Sequence, residues 1–118
     1  MANADPDVVR SYYEHIDTED YEAVFALFDE DVVYERPGQD DIEGMADLRT
    51  FYLDERPLED GSHEVLSVTA EDDTVAVRGT FSGVQDGTAV RFGFADFFEF
   101  TDVGTVSHRY TYTDRDTV

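Results

Sequence analysis

The stretch RFGFADFFEF, residues 91–100, decides how the rest of this chain is read. At the two-residue period of a strand it places Phe92, Phe94, Asp96, Phe98 and Phe100 on one face, so a single carboxylate stands in a row of phenylalanines. Burying a carboxylate in an apolar wall costs several kcal/mol unless it is paired, hydrogen-bonded or protonated. Asp96 therefore has a partner or a chemical role.

Strand patterning extends in both directions from this stretch. Residues 65–70 lead to a turn at Glu71-Asp72-Asp73, residues 74–84 lead to an Asp86-Gly87 turn, and residues 105–113 follow a turn at 102–104. Gly79, Gly83 and Gly93 are the expected bulge or bend sites. Ahead of Gly61 the period is mostly helical. Asp5 or Asp7 caps a first helix with Pro6 in its opening turn, and Val8, Val9, Tyr12, Tyr13 and Ile16 form its stripe. A second helix starts near Thr18 and Asp20 and carries its apolar positions to Phe28. A strand at 31–36 stops at Pro37-Gly38, and a third helix covers 42–52 with Arg56-Pro57 beyond it. The order is ααβαββββ, an α+β domain spanning 1–118, with three N-terminal helices on one face of a curved, mainly antiparallel sheet. Residues 113–118 read as a loose tail.

The chain has 118 residues and a formal charge of -21, and all eight basic residues are arginine. The acids are interleaved with periodic apolar positions, so the charge describes a surface and not a disordered tail. An acidic, lysine-free surface suits molar salt, where screening acts within roughly 3 Å, and points to the cytoplasm of a salt-accumulating organism. Nucleic acid and anionic membranes are poor partners for it. There is no cysteine, signal-peptide pattern or membrane-length apolar run.

Three segments carry a resemblance: VVRSYYEHIDTEDYEAVFALFDEDVVYERPG, IEGMADLRTFYL and TVAVRGTFSGVQDGTAVRFGFADFFEF. They resemble the nuclear-transport-factor-2-like superfamily, most of all its ketosteroid-isomerase and SnoaL-like members, over nearly the whole chain. The resemblance implies a cone-shaped fold, a homodimer, an oxyanion-hole tyrosine at Tyr12 and an aspartic acid, kept neutral in the isomerases, at Asp96. The isomerase base falls on Arg36, which cannot accept a proton. Glu35, beside it, points to the other face of the strand.

Alternation adds a second candidate. Val106, His108, Tyr110 and Tyr112 share a face, and a hairpin about Asp102 sets His108 opposite Asp96. Asp96 is thus expected to pair with Arg36 or with His108. The candidate catalytic set is Asp96, His108, Tyr12 and Arg36, and the candidate lining is Tyr34, Phe92, Phe94, Phe98, Val106 and Tyr110. Only one of Tyr12 and Tyr13 is expected to face the pocket, and His15 and His63 are expected to face solvent. No HxH, HExxH, phosphate-loop or GxSxG pattern occurs, so neither metal nor cofactor is expected. The expected function is cofactor-independent proton transfer on a small hydrophobic or weakly acidic carbonyl compound. An epoxide hydrolase is its variant, and a non-catalytic ligand-binding or scaffold domain is the alternative.

Overall fold

The structure is a computed structural model and describes residues 4–36, 38–55 and 58–114. Helix α1, Pro6–Asp17, begins where the Asp5 carboxylate accepts the Asp7 backbone N–H at 2.9 Å, with Pro6 in the first turn. It buries Val9, Tyr12, Tyr13 and Ile16. Helix α2, Tyr21–Phe25, is capped by Asp20 and ends before Phe28, which opens strand β1, Phe28–Glu35.

The helix expected from Ile42 starts later. Ile42–Glu43 forms a short strand, β2, antiparallel to β1 with Ile42 opposite Tyr34. Gly44, at φ 86°, turns the chain into α3, Met45–Thr50. A π-helical turn, Phe51–Glu55, continues it, with Phe51 and Tyr52 both buried. The meander consists of β3 Leu58–Glu71, β4 Thr74–Gln85, β5 Thr88–Phe100 and β6 Val106–Thr113. The sheet order is β2-β1-β6-β5-β4-β3, with β1 parallel to β6 and every other pair antiparallel. The chain is thus α+β as expected, with one additional short strand. The expected stops at Pro37 and Arg56-Pro57, and the tail beyond Asp114, lie outside the described residues. Asp114 itself is tied to Gly93 by two hydrogen bonds of 3.2 Å.

The inner sheet face supplies Val75, Val77, Phe81, Phe92, Phe94, Phe98 and Phe100, which pack against α1, α2 and Leu48 of α3. The β4–β5 register runs through Gly79, Gly83 and Gly93 without a break, but the β3–β4 register shifts across from Gly83 and again at Gly79, so two of the three expected sites lie opposite irregularities of β3. Gly79 also makes room. A Cβ there would stand 2.7 Å from the Phe94 ring and closer still to the Glu64 carbonyl.

The bulge that matters lies in β6. Glu99 faces His108 and Phe100 faces Val106, which leaves Ser107 unpaired and shifts the alternation by one residue. Val106 points inward ahead of it; after it Arg109 and Thr111 point inward, while His108, Tyr110 and Tyr112 lie on the outer face. Among the described residues no helix is long and apolar enough to cross a membrane.

Candidate functional site

The carboxylate of Asp96, mid-strand in β5 and 1% exposed, accepts three hydrogen bonds. Tyr13 OH of α1 donates to Oδ2 at 2.5 Å, Arg109 Nη2 donates to the same oxygen at 2.9 Å, and Thr111 Oγ1 donates to Oδ1 at 2.6 Å. Thr111 is directly opposite Asp96 across the β5–β6 ladder, and Arg109 is opposite Phe98, so the guanidinium reaches the carboxylate on the diagonal. The counter-ion that the row of phenylalanines required is therefore Arg109, itself 5% exposed.

Proton counting fixes the direction of the next bonds. Thr111 has one hydroxyl proton and gives it to Asp96, so in its 3.0 Å contact with Tyr34 the phenol is the donor. Arg109 Nη1 donates to Tyr12 OH at 2.6 Å and to Tyr52 OH at 3.1 Å, and these two hydroxyls lie 2.6 Å apart. The bond between the two phenols uses one of their two protons. The second has no acceptor among the hydrogen bonds of the described residues, and neither has the buried Nε–H of Arg109. The guanidinium also lies over the rings of Tyr34 at 4.4 Å, Tyr12 at 4.6 Å and Phe98 at 5.2 Å.

These contacts hold the charges in place. Burial pushes the Tyr12 hydroxyl well above its usual range, with Arg109 opposing and Tyr52 and Tyr34 adding. Burial, and then the neighbouring Asp96 charge, does the same to Tyr13. Tyr34 is pushed up to about 12 by burial, against the pull of Arg109. Burial alone would weaken the proton affinity of Arg109, but Asp96 and the tyrosines outweigh it and keep the guanidinium charged.

The four expected catalytic residues are not brought together. Asp96 and Tyr12 meet within this network, but Asp96 is bonded to neither Arg36 nor His108. The Ser107 bulge turns His108 outward, where Nε2 meets Glu35 Oε2 at 2.7 Å and the ring stacks on Tyr110 at 4.3 Å. Arg36 lies beyond the end of β1, with its guanidinium 4.4 Å over the Phe51 ring and Nη2 donating to the Asp40 carbonyl at 3.3 Å. Tyr12 and Tyr13 both enter the network, so the expectation that only one faces inward fails. Of the expected lining, Tyr34, Phe92, Phe94, Phe98 and Val106 are buried inside, whereas Tyr110 is on the outer face for the same reason as His108. His63 is not turned to solvent: its ring and backbone N–H bond Asp17 at 2.6 and 2.8 Å, and it packs on Tyr13 and Phe81. Sequence reasoning missed Arg109, Thr111, Tyr13 and Tyr52. Its one available signal was that Arg109 and Thr111 alternate on a strand next to an otherwise unpaired buried acid. Among the described residues no group of three histidine or carboxylate side chains could hold a metal ion.

The family profile described as SnoaL-like domain matches residues 9–108. No curated protein matches the chain in sequence. Solved structures with a similar fold include an LEH-like epoxide hydrolase of M. tuberculosis (TM-score 0.80, 22% identity, covering 92% of this chain and 80% of that one). Another is SalBIII, an epoxide hydrolase/cyclase-like enzyme with a role in pyran ring formation in the polyether salinomycin (TM-score 0.81, 23% identity, covering 91% and 88%). A third is an NTF2-like protein of unknown function from Exiguobacterium sp. 255-15 (TM-score 0.78, 16% identity, covering 91% and 98%). At these identities the likeness is one of fold.

Proposed function

Because this chain belongs to the SnoaL-like domain family, we propose that it is a cofactor-independent enzyme of small-molecule acid–base chemistry, centred on Asp96 and Arg109. The observation that carries this reading is the pair of unspent donors beside a buried ion pair: one phenolic proton of Tyr12 and Tyr52, and the Nε–H of Arg109. A buried ion pair adds little stability over an apolar filling of the same volume, and each orphaned buried donor costs about 1–3 kcal/mol. A network kept only for stability would close. This one has donors left for an oxygen that is not part of the protein.

The chemistry follows from the positions. A carbonyl or epoxide oxygen brought to this cluster accepts the unspent phenolic proton of Tyr12 and Tyr52 and the Nε–H of Arg109, which stabilise the negative charge it develops. Asp96 is the proton carrier, held at a set orientation by Tyr13 and Thr111. Turnover on a panel of ketones, lactones and epoxides is the test. Asp96→Asn is expected to lower kcat/KM by about 10²–10⁴-fold and Tyr12→Phe by a smaller factor, each with the far-UV circular dichroism retained. A wild-type protein that turns over nothing in the panel sinks the proposal. The second reading, a ligand-binding or scaffold domain without turnover, is favoured by Asp96 receiving all three of its hydrogen bonds from the protein itself.

We also propose a homodimer through the outer sheet face. Thr74, Ala76, Arg78, Thr80, Arg91, Ala95, Phe97, Glu99, His108, Tyr110 and Tyr112 lie there, with Glu35 bonded to His108 and Glu64 across from Thr80. Phe97 and Tyr112 are 37% and 57% exposed on it. Such a face, carrying aromatics and with Arg78, Arg91 and His108 among its carboxylates, is where two such chains can approach with their charges partly balanced. Light scattering in molar salt should give twice the 13.4 kDa chain mass, and Phe97→Glu with Tyr112→Glu should give the single mass. A monomeric wild type would refute it.

A further inference from the structure

Beyond the buried network, a groove of about 190 Å³ opens at the end of β1, lined by Arg36, Asp40, Asp41, Ile42, Asp47, Thr50 and Phe51. Phe51 supplies a flat apolar surface with the Arg36 guanidinium stacked on it at 4.4 Å. Arg36 forms no ion pair among the described residues, although three aspartates line the same groove. Its Nε–H is buried without a partner, and Nη2 spends one donor on the Asp40 carbonyl. A guanidinium N–H that is buried beside the groove and left without a partner marks the place of an absent acceptor.

The charge balance selects what that acceptor is. One guanidinium against three carboxylates leaves the groove lining at -2, on a chain whose total is -21. An anion gains one short contact to Arg36 and is repelled by everything else at low salt, whereas a neutral carbonyl oxygen takes the Nε–H without that penalty. Hydroxyl or amide donors on the same ligand can then face Asp40, Asp41 and Asp47. The groove is also close to the buried centre, since the Tyr34 ring is 5.9 Å from the guanidinium carbon of Arg36 and 4.4 Å from that of Arg109. These two legs put the cations at most 10.3 Å apart.

We infer that the Arg36 groove is the outer half of the substrate site and receives a neutral, flat group that presents a carbonyl oxygen flanked by hydroxyl or amide donors. This deepens the proposed function and rests on it only for the position of the chemistry. It also narrows the expected ligand, because the weakly acidic alternative named in the sequence reading is disfavoured by the aspartates around Arg36.

The test titrates ¹⁵N-labelled protein with salicylamide and with salicylate, which share a skeleton and differ in charge, in 0.2 M and 2 M KCl. Salicylamide is expected to shift the Arg36 Nε–H signal and the backbone amides of Ile42, Thr50 and Phe51. Salicylate should bind at least threefold more weakly in 0.2 M KCl, gain affinity in 2 M KCl as repulsion is screened, and gain affinity in Asp47→Asn. Arg36→Gln abolishes the salicylamide shifts, and so does Arg36→Lys, which keeps the charge and loses the Nε–H. Tighter binding of salicylate at low salt, unchanged binding in both Arg36 variants, or shifts confined to the outer sheet face would each overturn the inference. Because binding is read without turnover, an inactive protein that still takes salicylamide here refutes the enzyme and leaves the groove assignment standing.

Discussion

Arg109→Met, made with Asp96 in place, is expected to cost about 3–5 kcal/mol of folding stability, a large part of the roughly 5–15 kcal/mol that holds a domain of this size together. The substitution leaves a carboxylate that is 1% exposed without its counter-ion and removes the donor shared by Tyr12 and Tyr52. Asp96→Leu in the same background removes the stranded charge, so the double variant should be more stable than Arg109→Met alone. Full recovery is not expected, because the hydroxyls of Tyr13 and Thr111 then lose their acceptor, at about 1–3 kcal/mol each. Urea denaturation in 2 M KCl of the wild type, both single variants and the double gives the coupling directly. A loss below about 1 kcal/mol for Arg109→Met would show that Asp96 is hydrated or protonated, and that the pair is not the organising interaction described above.

The second large effect is alkaline. Tyr12, Tyr13 and Tyr34 all bind their phenolic protons more tightly in the folded chain than in the unfolded one, Tyr34 up to about 12. Above the ordinary phenol value of 10.0 the unfolded chain gives up these protons while the folded chain keeps them, so stability is fully present below pH 10 and falls as the pH rises toward about 12. Each such group contributes about 1.4 kcal/mol per pH unit, so three together give a loss of about 4 kcal/mol per unit, enough to unfold the domain over a narrow interval. Absorbance at 295 nm should therefore rise with a cooperative component that coincides with the loss of far-UV circular dichroism. Tyr34→Phe should flatten the pH dependence by about a third. Smooth ionisation of the tyrosines with the dichroism intact at pH 11.5 would count against a closed phenolic network.

Much of this molecule was legible from local pattern because its elements obey local rules. Asp5 and Pro6 begin α1 through capping and a preset φ, and Asp86-Gly87 closes a hairpin through positive φ at both residues. The Phe92 to Phe100 face is buried because alternation carries it inward along an unbroken register. These are short-range effects, and residues a few positions apart contain the information. Ile42 shows where the reading fails. Its helical spacing was real, but pairing with Tyr34 and the turn at Gly44 claimed it for β2, a gain made with a strand that is distant in sequence.

The composition of the chain and the face on which Asp96 lies were decided by the sequence alone: a buried acid in an aromatic row demands a partner whatever the fold, because desolvation is a property of the group. The identity of that partner was decided only by tertiary structure. One unpaired residue, Ser107, inverts every side chain after it, so that His108 and Tyr110 leave the interior and Arg109 and Thr111 enter. A bulge is stabilised by the neighbouring strand and leaves no mark in the spacing of apolar residues on its own strand. Arg36 lost the expected pairing for the same reason: Arg109 is bound to Asp96, and the Arg36 guanidinium rests on Phe51 instead.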